Sequence, residues 1–248
     1  YKKVKILNKN INFFTPNQLI KWRVETIFSK EPETIEWINT FEKKKNIFWD
    51  IGANIGLYSI YNSIKNKNST TIAFEPSTNN LRVLSRNISI NKLDNKIKIF
   101  TLPLTKDPLN FMRMQESSLQ EGSALHSFGE KFDFEGNKFR SKINYSLLGL
   151  SINYLLKNKI LQIPNYIKLD VDGIEHLILQ GGNDFLNNKK IKSISVEVNE
   201  NFKQQFNQVI KIMKKNNFKI RHKKHNYKLF KKSGEKFLNT FNYVFDKI

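Results

Sequence analysis

The sequence predicts an α/β fold in which parallel strands alternate with helices. A short apolar run ends in Asp50, the small-residue loop 52–56 follows, and an amphipathic segment begins at Leu57. A second apolar run ends in another acid, Glu75, 25 residues after the first acid. A strand, a glycine loop and a helix, followed by a strand with an acid at its tip, form the βαβ pattern that binds nucleotides at its strand ends.

The elements around this unit follow from the spacing of the apolar residues. Alternation over residues 4–14 predicts a strand or hairpin, which Pro16 ends. Helical spacing then indicates two helices, with Pro32 near the first position of the second. The predicted bounds are helices at 19–28 and 33–41, a strand ending at Asp50, helix 57–65, strand 71–74, helix 79–91 and strand 96–100.

The chain is irregular over residues 103–165 and then returns to the same alternation. A long irregular insertion in an α/β domain is usually functional. Within it we expect only short elements, and after it a regular series. The predicted bounds are strands at 109–114 and 144–151, helix 152–159, strand 166–171, helix 174–186, strand 193–198, helix 202–216 and strands 218–221 and 242–246.

The glycine loop differs from the common nucleotide-binding loops. The nicotinamide fingerprint G-x-G-x-x-G is absent because Asn54 and Leu57 stand where its later glycines would be. No G-x-x-x-x-G-K-[ST] phosphate loop occurs in the chain. A loop headed by its own acid, Asp50, suits a ligand with a cationic amino-acid end, such as S-adenosylmethionine. The alternative is an ordinary β-turn-α connection, in which the glycines only provide positive φ angles. The second acid, Glu75, at the end of the next strand, makes this alternative less favoured.

Five segments carry a more specific resemblance. They are residues 31–38 (EPETIEWI), 48–59 (FWDIGANIGLYS), 73–77 (AFEPS), 84–91 (LSRNISIN) and 167–181 (IKLDVDGIEHLILQG). In this order they resemble the FkbM family of S-adenosylmethionine-dependent methyltransferases, over most of the chain. The resemblance implies O-methylation of a sugar, glycan or natural-product hydroxyl, without specifying which one.

The resemblance also implies the class I methyltransferase fold. This is a Rossmann-like three-layer sandwich with a mostly parallel seven-stranded sheet and an antiparallel C-terminal strand. We expect residues 1–45 to form an N-terminal strand and helix cap, and residues 46–248 to form the methyltransferase domain. Within that domain, residues 103–165 are expected to be a substrate-side insertion over the pocket.

The cofactor site is expected at the carboxyl ends of the strands. The loop would hold the methionine end, Asp50 would orient the loop, and Glu75 would accept hydrogen bonds from the ribose. The alternative role for Glu75 is to stabilise the N-terminus of helix 79–91 as an acid just before it. The predicted cofactor-binding residues are Asp50, Gly52, Ala53, Asn54, Ile55, Gly56, Glu75, Pro76, Ser77 and Leu102, the last three bordering the adenine.

The predicted catalytic carboxylates follow a later strand. Methyl transfer to a hydroxyl requires an aligned nucleophile and a group that removes its proton. Asp170 is the first candidate, and Asp172 stands where the family commonly has Glu. For Glu175, in the same cluster, a role in helix packing or at the positive end of the helix dipole is the alternative to a catalytic role. Asp170, Asp172 and Glu197 could also hold Mg²⁺, but the sequence favours a site without metal.

The four histidines differ in their expected roles. His126 lies in the insertion, where a residue over the pocket could act as a general base, and we include it among the catalytic candidates. An ordinary polar residue is the alternative for it. His176 is expected to pack or to face outward on its helix. His222 and His225 have no neighbours typical of a metal site.

Composition excludes several chemistries and leaves others open. The chain has no cysteine, so thiolate attack on a pyrimidine, zinc–thiolate sites and iron–sulfur clusters are excluded. No apolar run approaches the roughly 18 residues of a membrane span. Together with the lack of cysteine and of a signal-peptide pattern, this predicts a cytoplasmic protein. The oligomeric state cannot be predicted.

The net charge of +20 points weakly to nucleic acid. Only six of the 42 basic residues are Arg, the side chain that phosphate-binding interfaces favour. The basic residues crowd into stretch 211–232, so an RNA methyltransferase is one alternative function. A non-catalytic protein that keeps the cofactor fold is the other. We expect a small-molecule or glycan partner.

Overall fold

A computed structural model describes residues 1–227 and 237–248. Its strands are β1 (Lys2–Ile6), β2 (Lys9–Phe13), β3 (Asn46–Ile51), β4 (Ser69–Phe74), β5 (Ile97–Phe100), β6 (Leu109–Glu116), β7 (Ser127–Phe128), β8 (Ile143–Leu150), β9 (Tyr166–Leu169), β10 (Ser193–Asn199), β11 (Phe218–Lys224) and β12 (Thr240–Lys247). Its helices are α1 (Gln18–Glu25), α2 (Pro32–Asn39), α3 (Leu57–Lys65), α4 (Thr78–Ile90), α5 (Ile152–Lys157), α6 (Glu175–Gln180), α7 (Asn183–Leu186) and α8 (Lys203–Lys215).

The central sheet has seven strands in the order β11-β12-β10-β9-β3-β4-β5. The five strands from β10 to β5 run parallel. Strand β12 is antiparallel to both of its neighbours. This confirms the mostly parallel seven-stranded sheet with an antiparallel C-terminal strand, and it places the carboxyl ends of β3, β4, β9 and β10 along one edge.

The two faces of the sheet support separate layers of helices. Successive residues of a strand point to opposite faces, so Phe48 and Trp49 enter different cores. The Phe48 core includes apolar residues of α1 to α4, and the Trp49 core includes apolar residues of α5 to α8. The result is the predicted three-layer sandwich.

The N-terminal segment contains the predicted hairpin and two helices, and it packs on the Phe48 face. The Asn87 side chain on α4 accepts a hydrogen bond from the Phe14 amide at 2.8 Å. The Trp37 indole donates to Ser193 Oγ at 2.9 Å, which ties α2 to the start of β10. Both bonds fix the segment against the sheet domain.

The insertion forms a second sheet of three antiparallel strands, in the order β7-β6-β8. The two longer strands were predicted from their apolar pattern. Strand β7 was not, because two residues are too few to show an alternation.

One predicted helix is wrong in its length. The structure divides residues 174–186 into α6 and α7, with Gly181 and Gly182 between them. A Cβ atom at Gly181 would lie 2.4 Å from the backbone oxygen of Thr105. The close approach of the insertion therefore interrupts a segment whose apolar spacing alone indicates one continuous helix.

Two further points concern the rest of the chain. Within residues 1–227 and 237–248, no helix is both long enough and apolar enough to cross a membrane. Part of the basic stretch 211–232 lies outside the described residues, namely residues 228–232 with Lys228, Phe230, Lys231 and Lys232.

Candidate active site

Two adjoining cavities open at the carboxyl ends of β3, β4, β9 and β10. The larger has a volume of about 460 Å³, and the smaller has a volume of about 50 Å³. Their walls combine strand-end residues, insertion residues and residues of the N-terminal segment. The residues common to both walls are Arg23, Lys30, Gly52, Asn54 and Asp170.

The glycine loop approaches the backbone of the neighbouring strand end very closely. Gly52 has a φ of +83°, and a Cβ atom there would lie 1.8 Å from the backbone oxygen of Asp170. Gly56 has a φ of +86° and begins helix α3. Only glycine fits the first of these positions, because both the conformation and the contact exclude a side chain.

Glu75 connects the loop to the next helix. Its Oε2 accepts the Asn54 amide at 2.7 Å, and its Oε1 accepts the Ser77 amide at 2.9 Å. Each carboxylate oxygen has a second lone pair, so Glu75 can still accept from a ligand in the larger cavity, whose wall it forms. Burial raises the pKa of Glu75 to about 7. The helix cap itself is Ser77, whose hydroxyl accepts from the Asn80 amide.

The predicted cofactor-binding residues divide into three groups. Those that line the larger cavity are Gly52, Asn54, Glu75, Pro76 and Leu102. Ala53 and Ile55 line the smaller cavity, together with Gly52 and Asn54. Asp50, Gly56 and Ser77 line neither of these two cavities.

Asp50 is directed into the protein rather than toward the cavities. Its Oδ2 accepts the Ser59 hydroxyl at 2.6 Å, and only 1% of the residue is exposed. Burial raises its pKa, although the nearby Lys168 ammonium opposes that change. Asp50 therefore supports the start of α3 through Ser59, and its cofactor contact stays a prediction.

Three carboxylates converge in the larger cavity. One oxygen each from Asp170, Asp172 and Glu197 lies within 4.8 Å of the other two. Asp172 is further held by the Leu125 amide, which donates to its Oδ2 at 2.7 Å. Burial and the Asp170 charge raise the pKa values of Asp172 and Glu197. Such a group favours a positive ligand, and its oxygens would suit either a cationic cofactor or a divalent ion.

A buried cation, Lys168, stands beside these carboxylates. It is 2% exposed, and its Nζ lies 2.5 Å from Asp170 Oδ2. Burial disfavours its charge, but Asp170, Asp50 and Glu31 outweigh that effect and raise its pKa. Sequence reasoning gave Lys168 no role, although a lysine within the apolar strand β9 is an available signal, since buried lysines need partners.

His126 lies in the wall of the larger cavity, as predicted for a residue over the pocket. Its Nδ1 accepts the Ser117 amide at 3.2 Å, and the residue is 9% exposed. A neutral ring in this arrangement carries its proton on Nε2, which has no partner among the described residues. His126 is therefore arranged to donate a hydrogen bond, which differs from the general base expected of it.

Side chains around the glycine loop and helix α4 hold the backbone of the insertion by hydrogen bonds. The Ser123 oxygen accepts from the Asn54 side chain at 2.8 Å and from the Asn80 side chain at 3.1 Å. Asn80 Oδ1 accepts the Gly122 amide at 2.8 Å. Arg23 Nε donates to the Gly122 oxygen at 2.6 Å, so the N-terminal segment holds the same loop.

Glu175 and His176, next to the predicted catalytic motif, are buried and make contacts within the protein. Glu175 accepts the Val171 amide at 2.9 Å, and burial raises its pKa to about 8. His176 is buried against Phe132 and Phe202, and burial lowers its pKa to about 4. Neither residue lines the larger cavity.

Comparisons with solved structures find proteins of similar fold. A candidate rRNA methylase from Clostridium thermocellum superposes with a TM-score of 0.52 at 8% identity, covering 88% of this chain and 94% of that one. The precorrin-6y C5,15-methyltransferase of Geobacter metallireducens gives a TM-score of 0.49 at 11% identity, covering 96% and 95%. TrmK of M. capricolum, solved in complex with S-adenosylhomocysteine, gives 0.45 at 14% identity, covering 86% and 67%.

A search of curated proteins finds no match. At the level of sequence families, the model of the methyltransferase FkbM domain matches residues 50–220. The match contains the glycine loop, Glu75, the insertion and all three converging carboxylates. The chain therefore belongs to the FkbM methyltransferase family.

Proposed function

We propose that the protein transfers a methyl group from S-adenosylmethionine to a hydroxyl oxygen of a sugar, glycan or natural product. The observation that carries the proposal is the arrangement of one cavity. Glu75 and the glycine loop form one part of its wall, and three carboxylates converge on another. A cofactor with a ribose at one end and a sulfonium near the other matches both parts.

The adenosine would lie against Glu75, Pro76 and Leu102. Glu75 has acceptor capacity for ribose hydroxyls after its two backbone bonds, and Pro76 and Leu102 offer apolar surface for the adenine. The sulfonium would then face Asp170, Asp172 and Glu197. Their negative charge favours a cation in a partly buried site, where screening by water is weak.

The transfer step needs alignment and a proton acceptor. The acceptor oxygen forms a bond to the methyl carbon while the carbon–sulfur bond breaks, and the electron pair leaves with the sulfur as a neutral thioether. We assign removal of the hydroxyl proton to Asp172, because burial and Asp170 raise its pKa and so make it a better base. Asp170, which is paired with Lys168, would face the sulfonium. His126 Nε2 would donate to the acceptor.

The described part of the basic C-terminal stretch divides between four exposed lysines, at 211, 214, 215 and 219, and three cations whose charge is paired. Arg221, Lys223 and Lys224 each pair with an acid, namely Asp246, Glu200 and Glu36 respectively. Paired cations have less charge available for phosphate groups. Much of the larger cavity wall is apolar, with Leu104, Met114 and Phe128 from the insertion side, which suits a compact organic acceptor.

Calorimetry with S-adenosylhomocysteine tests the proposal. The wild-type protein should bind it with micromolar affinity, and Glu75→Ala should weaken binding at least about 10-fold, because a charged acceptor is lost. Glu25→Ala, which removes an exposed acid on α1, is the matched control and should bind normally. A folded wild-type protein that binds neither S-adenosylmethionine nor S-adenosylhomocysteine would contradict the methyltransferase proposal.

A further inference from the structure

The smaller cavity lies between the glycine loop and the N-terminal segment. Its volume of about 50 Å³ has room for about three or four water-sized groups. One wall is the loop itself, with Gly52 and Asn54, and the other includes Arg23 and Lys30. Because both cations also line the larger cavity, the smaller one is a side pocket that adjoins the larger.

Arg23 and Lys30 are two cations held on the same wall. Burial and the Arg23 charge both disfavour the Lys30 ammonium, whose pKa stays raised because Glu31 pairs with it. Arg23 donates through Nε to a backbone oxygen, and it has no ion pair with any described residue. The charged side chains in the wall of the smaller cavity are the cations Arg23, Lys30 and Lys168 and the acids Glu31 and Asp170. Three cations against two acids leave a net positive charge, which an anionic ligand group would neutralise.

The three converging carboxylates lie next to these cations in the combined cavity. Asp170 lines both cavities, and the Lys30 charge acts on Glu197 as well as on Asp170. Asp170, Asp172 and Glu197 converge, with Lys168 as a cation in contact with Asp170. A ligand that meets both groups needs a negative group near Arg23 and Lys30 and a positive group near the three carboxylates. S-adenosylmethionine has this polarity, since its carboxylate lies at the far end of the amino-acid chain from its sulfonium.

We infer that Arg23 and Lys30 bind the carboxylate of the cofactor's amino-acid end. The inference rests on the proposed function. Both residues precede residue 50, where the family match begins, so the N-terminal segment completes the cofactor site of this chain. Arg23 offers Nη donors that can meet a carboxylate oxygen, and Lys30 adds a second charged donor. The same Arg23 holds Gly122, so a bound carboxylate would also steady the insertion loop.

The test compares three ligands that differ at the amino-acid end. S-adenosylmethionine has the carboxylate, decarboxylated S-adenosylmethionine keeps the ammonium and sulfonium but lacks it, and 5′-methylthioadenosine lacks the whole amino-acid chain. The quantity measured is the ratio of dissociation constants for the decarboxylated and the complete cofactor. We expect a ratio of about 10 to 100 for the wild type, as for the loss of one charged hydrogen-bonding group.

The variants are Arg23→Gln, Lys30→Gln and the double substitution. Each single change should lower the ratio, and the double change should bring it to about 1 to 3, while 5′-methylthioadenosine binds within about twofold of wild type. Arg23→Lys should recover part of the ratio, because it restores a donor and a charge. Lys21→Gln removes an exposed cation from the same helix and should keep the wild-type ratio.

The outcomes separate the two proposals. A double variant that keeps the wild-type ratio overturns the role of Arg23 and Lys30 and leaves the proposed function intact. A wild-type protein that binds none of the three ligands overturns the proposed function and, with it, this inference. If Arg23→Gln fails to fold because the Gly122 bond is lost, Lys30→Gln alone gives the decisive ratio.

Discussion

The floor and the roof of the cavity are built in different ways. The floor consists of strand ends and the glycine loop, where Gly52 contacts the Asp170 backbone and Glu75 accepts two amides. The roof consists of the insertion, which is held by side-chain bonds from Asn54, Asn80 and Arg23 to the backbone of residues 122–123. A floor made of backbone contacts has little freedom, whereas a roof held by a few polar bonds can open and be changed separately. We therefore expect the floor, together with Arg23 and Lys30, to control cofactor binding and the insertion to control the acceptor.

The largest effect is expected for Gly52→Ala on the floor. A methyl group there would meet the Asp170 oxygen at 1.8 Å, and the residue would keep an unfavourable positive φ. Binding of S-adenosylhomocysteine should weaken by more than about 100-fold in calorimetry. Gly182→Ala is the matched control, since its Cβ would meet only Ile152 atoms at 3.3 Å or more. Normal cofactor binding by Gly52→Ala would show that the loop does not form the site.

Lys168→Gln should cause the next largest effect, on stability. Its removal leaves Asp170, Asp50 and Glu31 without their shared cation in a buried place. Breaking such a group typically costs about 3–5 kcal/mol in the free energy of unfolding. Urea denaturation measures the loss, with the exposed strand lysine changed in Lys98→Gln as control. A loss equal to that of Lys98→Gln would exclude Lys168 as the centre of the network.

The affinity for S-adenosylhomocysteine should depend on pH through Glu75. Its pKa is about 7 in the free protein, so the carboxylate that accepts ribose hydroxyls is lost as pH falls from 8 to 6. We expect the affinity to fall by up to about 10-fold over that range. Glu75→Gln should bind more weakly and show a flatter profile. An unchanged profile in this variant would assign the titration to another group.

The same raised pKa values predict how the stability of the unliganded protein varies with pH. The folded-state pKa values of Glu75 and Glu175, about 7 and 8, exceed the ordinary value of 4.5. Between pH 4.5 and 7 these two acids bind more protons in the folded state than in the unfolded state, so their contribution to the free energy of unfolding falls as pH rises. His176, whose pKa is lowered to about 4, contributes in the opposite direction below about pH 6.5, and we expect the two acids to outweigh it between pH 5.5 and 7.5. Thermal midpoints at pH 5.5 and 7.5 should show this order, and a higher midpoint at pH 7.5 would contradict it.

Asn80→Ala tests the attachment of the roof with a smaller effect. The change removes the bonds to the Gly122 amide and to the Ser123 oxygen. Each such bond contributes about 0.5–1.5 kcal/mol, so we expect weaker protection of residues 117–126 in hydrogen exchange and a higher KM for the acceptor. Asn68→Ala, at an exposed site bonded to a backbone oxygen, is the control. A loss of cofactor affinity equal to that of Glu75→Ala would contradict the separation of roof and floor.

The smallest effect is expected from chelation of metal ions. The three carboxylates could hold a divalent ion by geometry, but Lys168 and a cofactor sulfonium would supply positive charge at the same place. EDTA should change the rate of methyl transfer by less than about twofold. A loss of activity that Mg²⁺ restores would instead identify a metal-assisted transfer.

The sequence predicts the strand ends and helix α3 better than the contacts between distant segments, for a physical reason. Helix α3 begins and ends where its apolar spacing predicts, and Asp170 and Glu197 lie at strand ends because alternation is a local property. Three-dimensional packing decides the rest. The Gly181 break depends on the distant Thr105 backbone, and the Asp50 direction depends on Ser59. The contribution of Arg23 has no local signal, since a partly exposed arginine on a surface helix is common.

A crystal structure of the complex with S-adenosylhomocysteine tests the central claim most directly. The account predicts ribose hydroxyls within hydrogen-bond distance of Glu75, the sulfur facing Asp170 and Asp172, and the carboxylate against Arg23 and Lys30. A ligand bound elsewhere, or bound in the reverse direction with its adenine at the three carboxylates, would contradict the account.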